Sequence, residues 1–190
     1  MFCKKNMGLF FLCVLFIVWA YFTYDVNRRF PSPENVSTQP GETTSFKGIK
    51  LTSGDMEIYD YEGLINQYPQ VETAYYIMDE ERKLAEDAYH FIIPVTIENS
   101  TENPWSIGKE GILSWVMETG TTNNGMDFFS FEELNPDYDG NLEPGESQEI
   151  RLTFSIIKDY MTMEEAIKWD KKIIYSYYPS KNYLYYPGEE

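Results

Sequence analysis

Hydrophobic positions along this chain change their period once, and the change divides it. From Gly8 to Tyr24 they are continuous, with no charged residue between Lys5 and Asp25. A run of about 17–19 residues is long enough for a spanning helix. Lys4 and Lys5 precede it, while Arg28 and Arg29 follow with Asp25. That balance favours a cytoplasmic N-terminus and puts everything after about residue 25 outside. A signal peptide shares the basic start and apolar core, but it ends in small residues at a cleavage site. Here Trp19-Ala20-Tyr21-Phe22-Thr23-Tyr24 follows the core, and such rings suit the membrane–water interface. Cys13 comes after Phe10, Phe11 and Leu12 rather than lipobox residues. Residues 1–24 therefore read as an uncleaved single-pass anchor.

Beyond the anchor the pattern is short apolar segments between turns. Residues 25–44, with Pro31, Pro33, Pro40 and Gly41, read as a linker. Residues 45–190 read as one domain. Strands are expected at Ser45–Leu51, Met56–Tyr61, Phe91–Asn99, Ile112–Met117 and Met126–Phe131. Pro94 would remove a ladder donor, which suggests an edge position or a bulge. Ile150, Leu152, Phe154 and Ile156 alternate with polar neighbours, the signature of a half-buried strand. Thr162-Met163-Glu164-Glu165 is a capping box that opens a short helix to about Lys172. Lys172–Tyr178 and Tyr183–Tyr186 close the chain as aromatic strands, and Asp79–Ala88 is open between helix and polar loop. Many short strands and few helical stretches predict an all-β sandwich.

Charge narrows the partners. The chain carries a formal −16, and because Lys4 and Lys5 are the only charges before Asp25, the remainder carries −18. So acidic a surface argues against nucleic acid and anionic lipid, and is compatible with a basic partner or cations. Both cysteines, Cys3 and Cys13, precede residue 25, so the outer domain must hold together by its core without disulfides. Asn35-Val36-Ser37 and Asn99-Ser100-Thr101 match the glycosylation sequon, which matters only in a eukaryotic secretory route.

Three segments stand in a telling order: Pro40-Gly41-Glu42-Thr43 before Phe46-Lys47-Gly48-Ile49, then Val95 to Thr101, then Leu142-Glu143-Pro144-Gly145-Glu146 before Leu152-Thr153-Phe154. In this the chain resembles the uncharacterised immunoglobulin-like ectodomains of membrane-anchored proteins and lipoproteins of Gram-positive bacteria. The resemblance spans roughly residues 38–186 and implies an immunoglobulin-like β-sandwich outside the cell, with no activity to carry over. The Cys…Trp…Cys spacing of antibody domains is absent.

The sharpest chemical motif is Asn135 to Glu146, which departs from the pattern D-x-[DN]-x-[DN]-G-x5-E only where Asn replaces the first Asp. As a calcium loop it would use Asn135, Asp137, Asp139, the Asn141 carbonyl, Glu143 through water and Glu146 bidentately. Asx residues and glycine also build ordinary polar turns, and Pro144-Gly145 bars a helix from starting within the loop. An acidic hairpin loop is thus the other reading, and no other cofactor is implied. Tyr175, Tyr177, Tyr178, Tyr183, Tyr185 and Tyr186, with Trp105, Trp115 and Trp169, read as core aromatics, or as a stacking surface if several rings face solvent. His90 is the only histidine and reads as a surface or strand-edge residue. With no histidine pair, nucleophile elbow or outer cysteine, no catalytic constellation assembles, and an enzyme is not expected. The expectation is a membrane-anchored extracytoplasmic binding or accessory module for an envelope or secreted protein. Its alternatives are a calcium-dependent adhesion or structural module and an immunity-type or transporter-accessory protein.

Overall fold

A computed structural model describes residues 4–31, 33–71, 79–106, 111–138, 140–177 and 180–189. The chain forms two compact units, Met1–Glu34 and Asn35–Glu190. The first is helix α1 (Lys4–Arg29). At 1.5 Å per residue it is about 39 Å long. Its stretch Phe11–Arg29 has the length and composition of a membrane span or signal sequence.

In the second unit the elements follow as β1 (Glu34–Thr38), β2 (Thr43–Phe46), β3 (Ile49–Ser53), β4 (Glu57–Tyr59), α2 (Tyr61–Gln67), α3 (Asp79–Glu86) and β5 (Ala88–Asn99). Then come β6 (Trp105–Ser106), β7 (Val116–Thr119), β8 (Thr122–Gly125), α4 (Phe128–Leu134), β9 (Asn141–Leu142), β10 (Ser147–Ile157), α5 (Met163–Lys168), β11 (Lys171–Ser176) and β12 (Ser180–Tyr186). One sheet has the order β1-β12-β11-β7-β8 and the other β10-β5-β3-β2, with β4 also pairing with β5. Inward residues of both form one core: Leu51, Ile93, Val95, Leu152 and Phe154 meet Met117, Ile173 and Leu184. Phe46, Trp115 and Tyr175 pack mutually with ring centroids 5.4–5.8 Å apart. The second unit is an all-β sandwich carrying short helices.

Several boundaries differ from the sequence reading. The supposed linker 25–44 is divided: Asp25–Arg29 continue α1, while β1 and β2 belong to the sandwich. The prolines bracket β1 instead of marking a stalk, and Thr38 at its end is buried. Ser45–Leu51 is a hairpin, because Lys47 (φ 46°) and Gly48 (φ 87°) both adopt positive φ. That is the geometry of a two-residue turn matched to strand twist. Met126–Phe131 is not a strand: β8 stops at Gly125, and Asp127 caps α4 by accepting from the Ser130 amide. Pro94 lies on neither an edge nor a bulge, since β5 is central. Its ring nitrogen faces the gap between β3 and β4, and its carbonyl accepts from Gly54 N at 2.8 Å. Its missing donor therefore breaks no rung.

The outer edge of β10 would otherwise present free amides and carbonyls, a hazard for unwanted pairing. Asn135 fills it at Arg151: its Oδ1 accepts from Arg151 N at 2.7 Å, and its Nδ2 donates to Arg151 O at 3.0 Å. One amide side chain thus imitates a neighbouring strand. Asp127 N donates to Thr153 O at 2.8 Å, and Asn124 Nδ2 donates to Ser155 O.

Candidate functional site

The N-terminal half of β5 is buried on both faces, which accounts for the unbroken run Phe91-Ile92-Ile93. Phe91 and Ile93 face the main core, whereas Ile92 joins Leu64, Val71, Ala85 and Leu134 in a second cluster beneath the helices. His90 belongs to this covered region and is 1% exposed, so it is neither a surface nor an edge residue. Its Nε2 lies 2.9 Å from the Ala85 carbonyl. A carbonyl only accepts, so Nε2 carries the hydrogen. Nδ1 lies 4.0 Å from Asp127. Burial pushes the imidazole pKa down and Lys158 adds to this, while the Ala85 bond, Asp127 and Asp60 oppose it.

Above His90, α3, the start of α4 and the end of β10 form an apolar groove. Leu84, Ala85, Ala88, Met126, Phe128 and Ile157 line a cavity of about 310 Å³. A second concavity of about 480 Å³ adjoins it through Asn124 and Ile157 and extends to Tyr160. Leu84 is 56% exposed, Phe128 47% and Tyr160 64%. The walls are pinned rather than loose. Thr153 Oγ1 donates to Asp127 O at 2.6 Å, Lys158 N to Asp87 O at 2.7 Å, and Lys158 Nζ to Glu86 O at 2.6 Å. Asp127 lines the groove; Glu86, Asp87 and Asp159 adjoin lining residues in the chain, as do Lys83 and Lys158, which leaves the acidic residues in excess. The arrangement suits apolar side chains flanked by positive charge.

The residues read as a calcium loop make the following bonds where they are described. Asn135 is 9% exposed and bonded to Arg151 and to the Phe131 carbonyl. The Asp137 carbonyl accepts from Gln148, and Asn141 pairs with Ser106 in the small β6–β9 ladder. Glu146 accepts from Glu143 N at 2.8 Å across its own turn. Asp139 lies outside the described residues. Among the described residues, no three His, Cys, Asp or Glu side chains gather in a metal-binding group.

The aromatic residues divide. Trp105, Trp115, Tyr175 and Tyr186 are buried in the core. Trp169 packs against it, and Tyr183 and Tyr185 are half-buried, with Lys172 over the Tyr183 ring. Tyr177 is exposed, and Tyr178 lies outside the described residues. Sequence reasoning missed Leu84, Phe128, Ile157 and Tyr160 as a group. Only Phe128, after Asp127, and Tyr160, after Asp159, stand directly beside an acidic residue.

The fold and groove define an all-β sandwich with a helix-flanked apolar cleft. Among solved structures it is similar to an uncharacterized β-sandwich protein of Clostridium difficile, with 11% identity over 80% of this chain and 95% of that one, TM-score 0.49. It is also similar to a functionally unknown protein of Listeria monocytogenes, with 12% identity over 78% and 82%, TM-score 0.49. A conserved hypothetical protein of Bacillus anthracis shares 10% identity over 70% and 86%, TM-score 0.45. No protein-family model and no curated protein matches the sequence. Similarity at this level transfers no functional residue.

Proposed function

We propose that this chain is a membrane-anchored binding module of a Gram-positive surface, with an immunoglobulin-like ectodomain whose groove takes an apolar segment of a basic envelope or secreted protein. The observation that carries the reading is the continuous exposed row Leu84, Phe128, Ile157 and Tyr160 on a rigid frame. Clustered large apolar side chains beside a concavity are what a protein interface uses. Charge selects the partner: a domain at −18 with acidic residues around the cleft attracts a basic segment and repels an acidic one. Helix α1 supports tethering, which confines the search for a partner to the membrane surface. The Asn99 corner and Pro144-Gly145-Glu146 turn support the immunoglobulin-like reading, because they lock together at one end of the sandwich.

A photo-crosslinking residue placed at Phe128 of the full-length chain in its native cells tests this, with Lys172 as the control position. The expected result is a discrete adduct from position 128 whose attachment point maps to a Lys/Arg-rich segment bearing apolar side chains. An adduct mapping to an acidic segment, or equal yields from both positions, would overturn the reading.

A further inference from the structure

At the end of the sandwich where β11 begins, away from the groove, a lysine is buried with one hydrogen-bond partner among the described residues. Lys171 begins β11 on the same inward row as Ile173 and Tyr175 and is 3% exposed. Lysines are almost never so buried unless paired. Its ammonium carries three donors, and its one hydrogen bond among the described residues goes to the Ile167 carbonyl at 2.9 Å. The carboxylates of Glu189 and Asp170 act on it through space without equalling the burial that draws its pKa down. Such a group faces either water or a ligand.

It lines a cavity of about 630 Å³ together with Met56, Ile58, Ile167 and Tyr186. Tyr186 is held in place by donating to Gly54 O at 3.1 Å, and burial pushes its pKa up to about 12, so its hydroxyl stays protonated. Asp55 and Glu189, both exposed, also line it, with Gln39, Pro40 and Pro187. The chemistry is therefore graded: a buried cation, an apolar wall, and two carboxylates open to solvent. A simple anion would gain from Lys171 but be repelled by Asp55 and Glu189. A simple cation would meet the reverse.

We infer that this cavity binds a zwitterionic small molecule of the amino-acid type, its carboxylate on Lys171 Nζ, its apolar body against Met56 and Ile58, and its ammonium toward Asp55 and Glu189. The volume falls within the ~300–1,000 Å³ usual for small-ligand sites, and the cavity shares no lining residue with the groove. Binding here is independent of the protein-docking reading.

The test uses the full-length chain in lipid nanodiscs with methyl-labelled Met and Ile, and L-leucine as the probe. Leucine is expected to shift the Met56 and Ile58 signals saturably. N-acetyl-leucine, which lacks the cation, and leucine amide, which lacks the carboxylate, should each bind at least about tenfold more weakly. Lys171→Met, similar in length and uncharged, should abolish the leucine response. The exposed Asp55→Asn serves as the second variant, since it should narrow the discrimination against N-acetyl-leucine whether or not Lys171→Met folds. No shift with leucine at millimolar concentration, equal binding of N-acetyl-leucine by the wild-type chain, or an unaltered response in Lys171→Met overturns the assignment.

Discussion

Asn99→Ala is expected to lower the stability of the outer domain by about 3–4 kcal/mol, the largest effect of any single polar substitution considered for this chain. Asn99 is fully buried at the end of β5. Its Nδ2 donates to Asn103 O at 2.8 Å and Leu142 O at 2.9 Å, while its Oδ1 accepts from Thr101 N at 2.9 Å and Thr101 Oγ1 at 2.7 Å. Alanine removes all four bonds: the Leu142 carbonyl and the Thr101 amide lose their Asn99 partner, while the Asn103 carbonyl keeps Thr101 Oγ1 at 2.8 Å. Each buried polar group so stranded costs about 1–3 kcal/mol, and partial relaxation keeps the total below the sum. At ~2–4 °C per kcal/mol for a domain of this size, the melting temperature should fall by about 6–16 °C. Asn99→Asp should also destabilise, because it keeps the acceptors but loses both donations. The check is thermal unfolding of each variant beside wild type; a shift under about 2 °C for alanine would mean that the corner is not a structural clamp. The same burial makes Asn99 a poor glycosylation acceptor once folded, since its amide nitrogen is enclosed and bonded twice.

Asn135→Asp is the second large effect, and it separates the two readings of the acidic loop. As the first ligand of a calcium loop, aspartate would strengthen binding. As the surrogate strand against β10, it would place a carboxylate opposite the Phe131 and Arg151 carbonyls, which Nδ2 now serves at 2.7 and 3.0 Å. Two donor bonds become two repulsive contacts at a site 9% exposed. The expected loss is about 2–3 kcal/mol, or ~4–12 °C in melting temperature, with no recovery on adding Ca²⁺. A variant that melts at the wild-type temperature, or that Ca²⁺ restores, would return the loop to metal binding. Wild type melted with Ca²⁺ and with chelator completes the comparison, since a ligand of the native state alone must raise its melting temperature.

How much of this was legible follows from the range of each interaction. The alternation of Ile150, Leu152, Phe154 and Ile156 reports one buried face and one open face, so β10 was readable within a few residues. The Thr162–Glu165 capping box was equally local, and it opens α5 as expected. The Phe46–Ile49 hairpin was hidden because Lys47-Gly48 lacks the usual Asn-Gly signature while still adopting two positive φ angles. Helix α4 competed with a strand reading of Met126–Phe131, because Phe128-Phe129-Ser130-Phe131 has the composition of a strand. Its N-cap, Asp127, was the overlooked signal.

Burial of His90 depended on α2, α3 and α4 covering the outer face of β5, and β5 itself carries no mark of that cover. Asn99 and Asn135 show the same limit. Their residue types were noticed, one as a sequon and corner and the other as a ligand, but their partners stand up to 43 and 16 positions away. The groove and the Lys171 cavity were the least readable. An apolar residue left outside, and a lysine taken inside, look in sequence like any other residue of the same kind.

The most direct measurement of the central claim is a peptide titration against the full-length chain in neutral-lipid nanodiscs, followed by methyl signals of Leu84, Ala85, Ala88 and Ile157. The probe is a short peptide presenting two leucines between lysines, set beside the same peptide with glutamates. The account predicts saturable shifts confined to the groove with the lysine peptide, weakened by salt and lost in Phe128→Asp, and none with the glutamate peptide. Shifts scattered over the domain, or an equal response to both peptides, would contradict it.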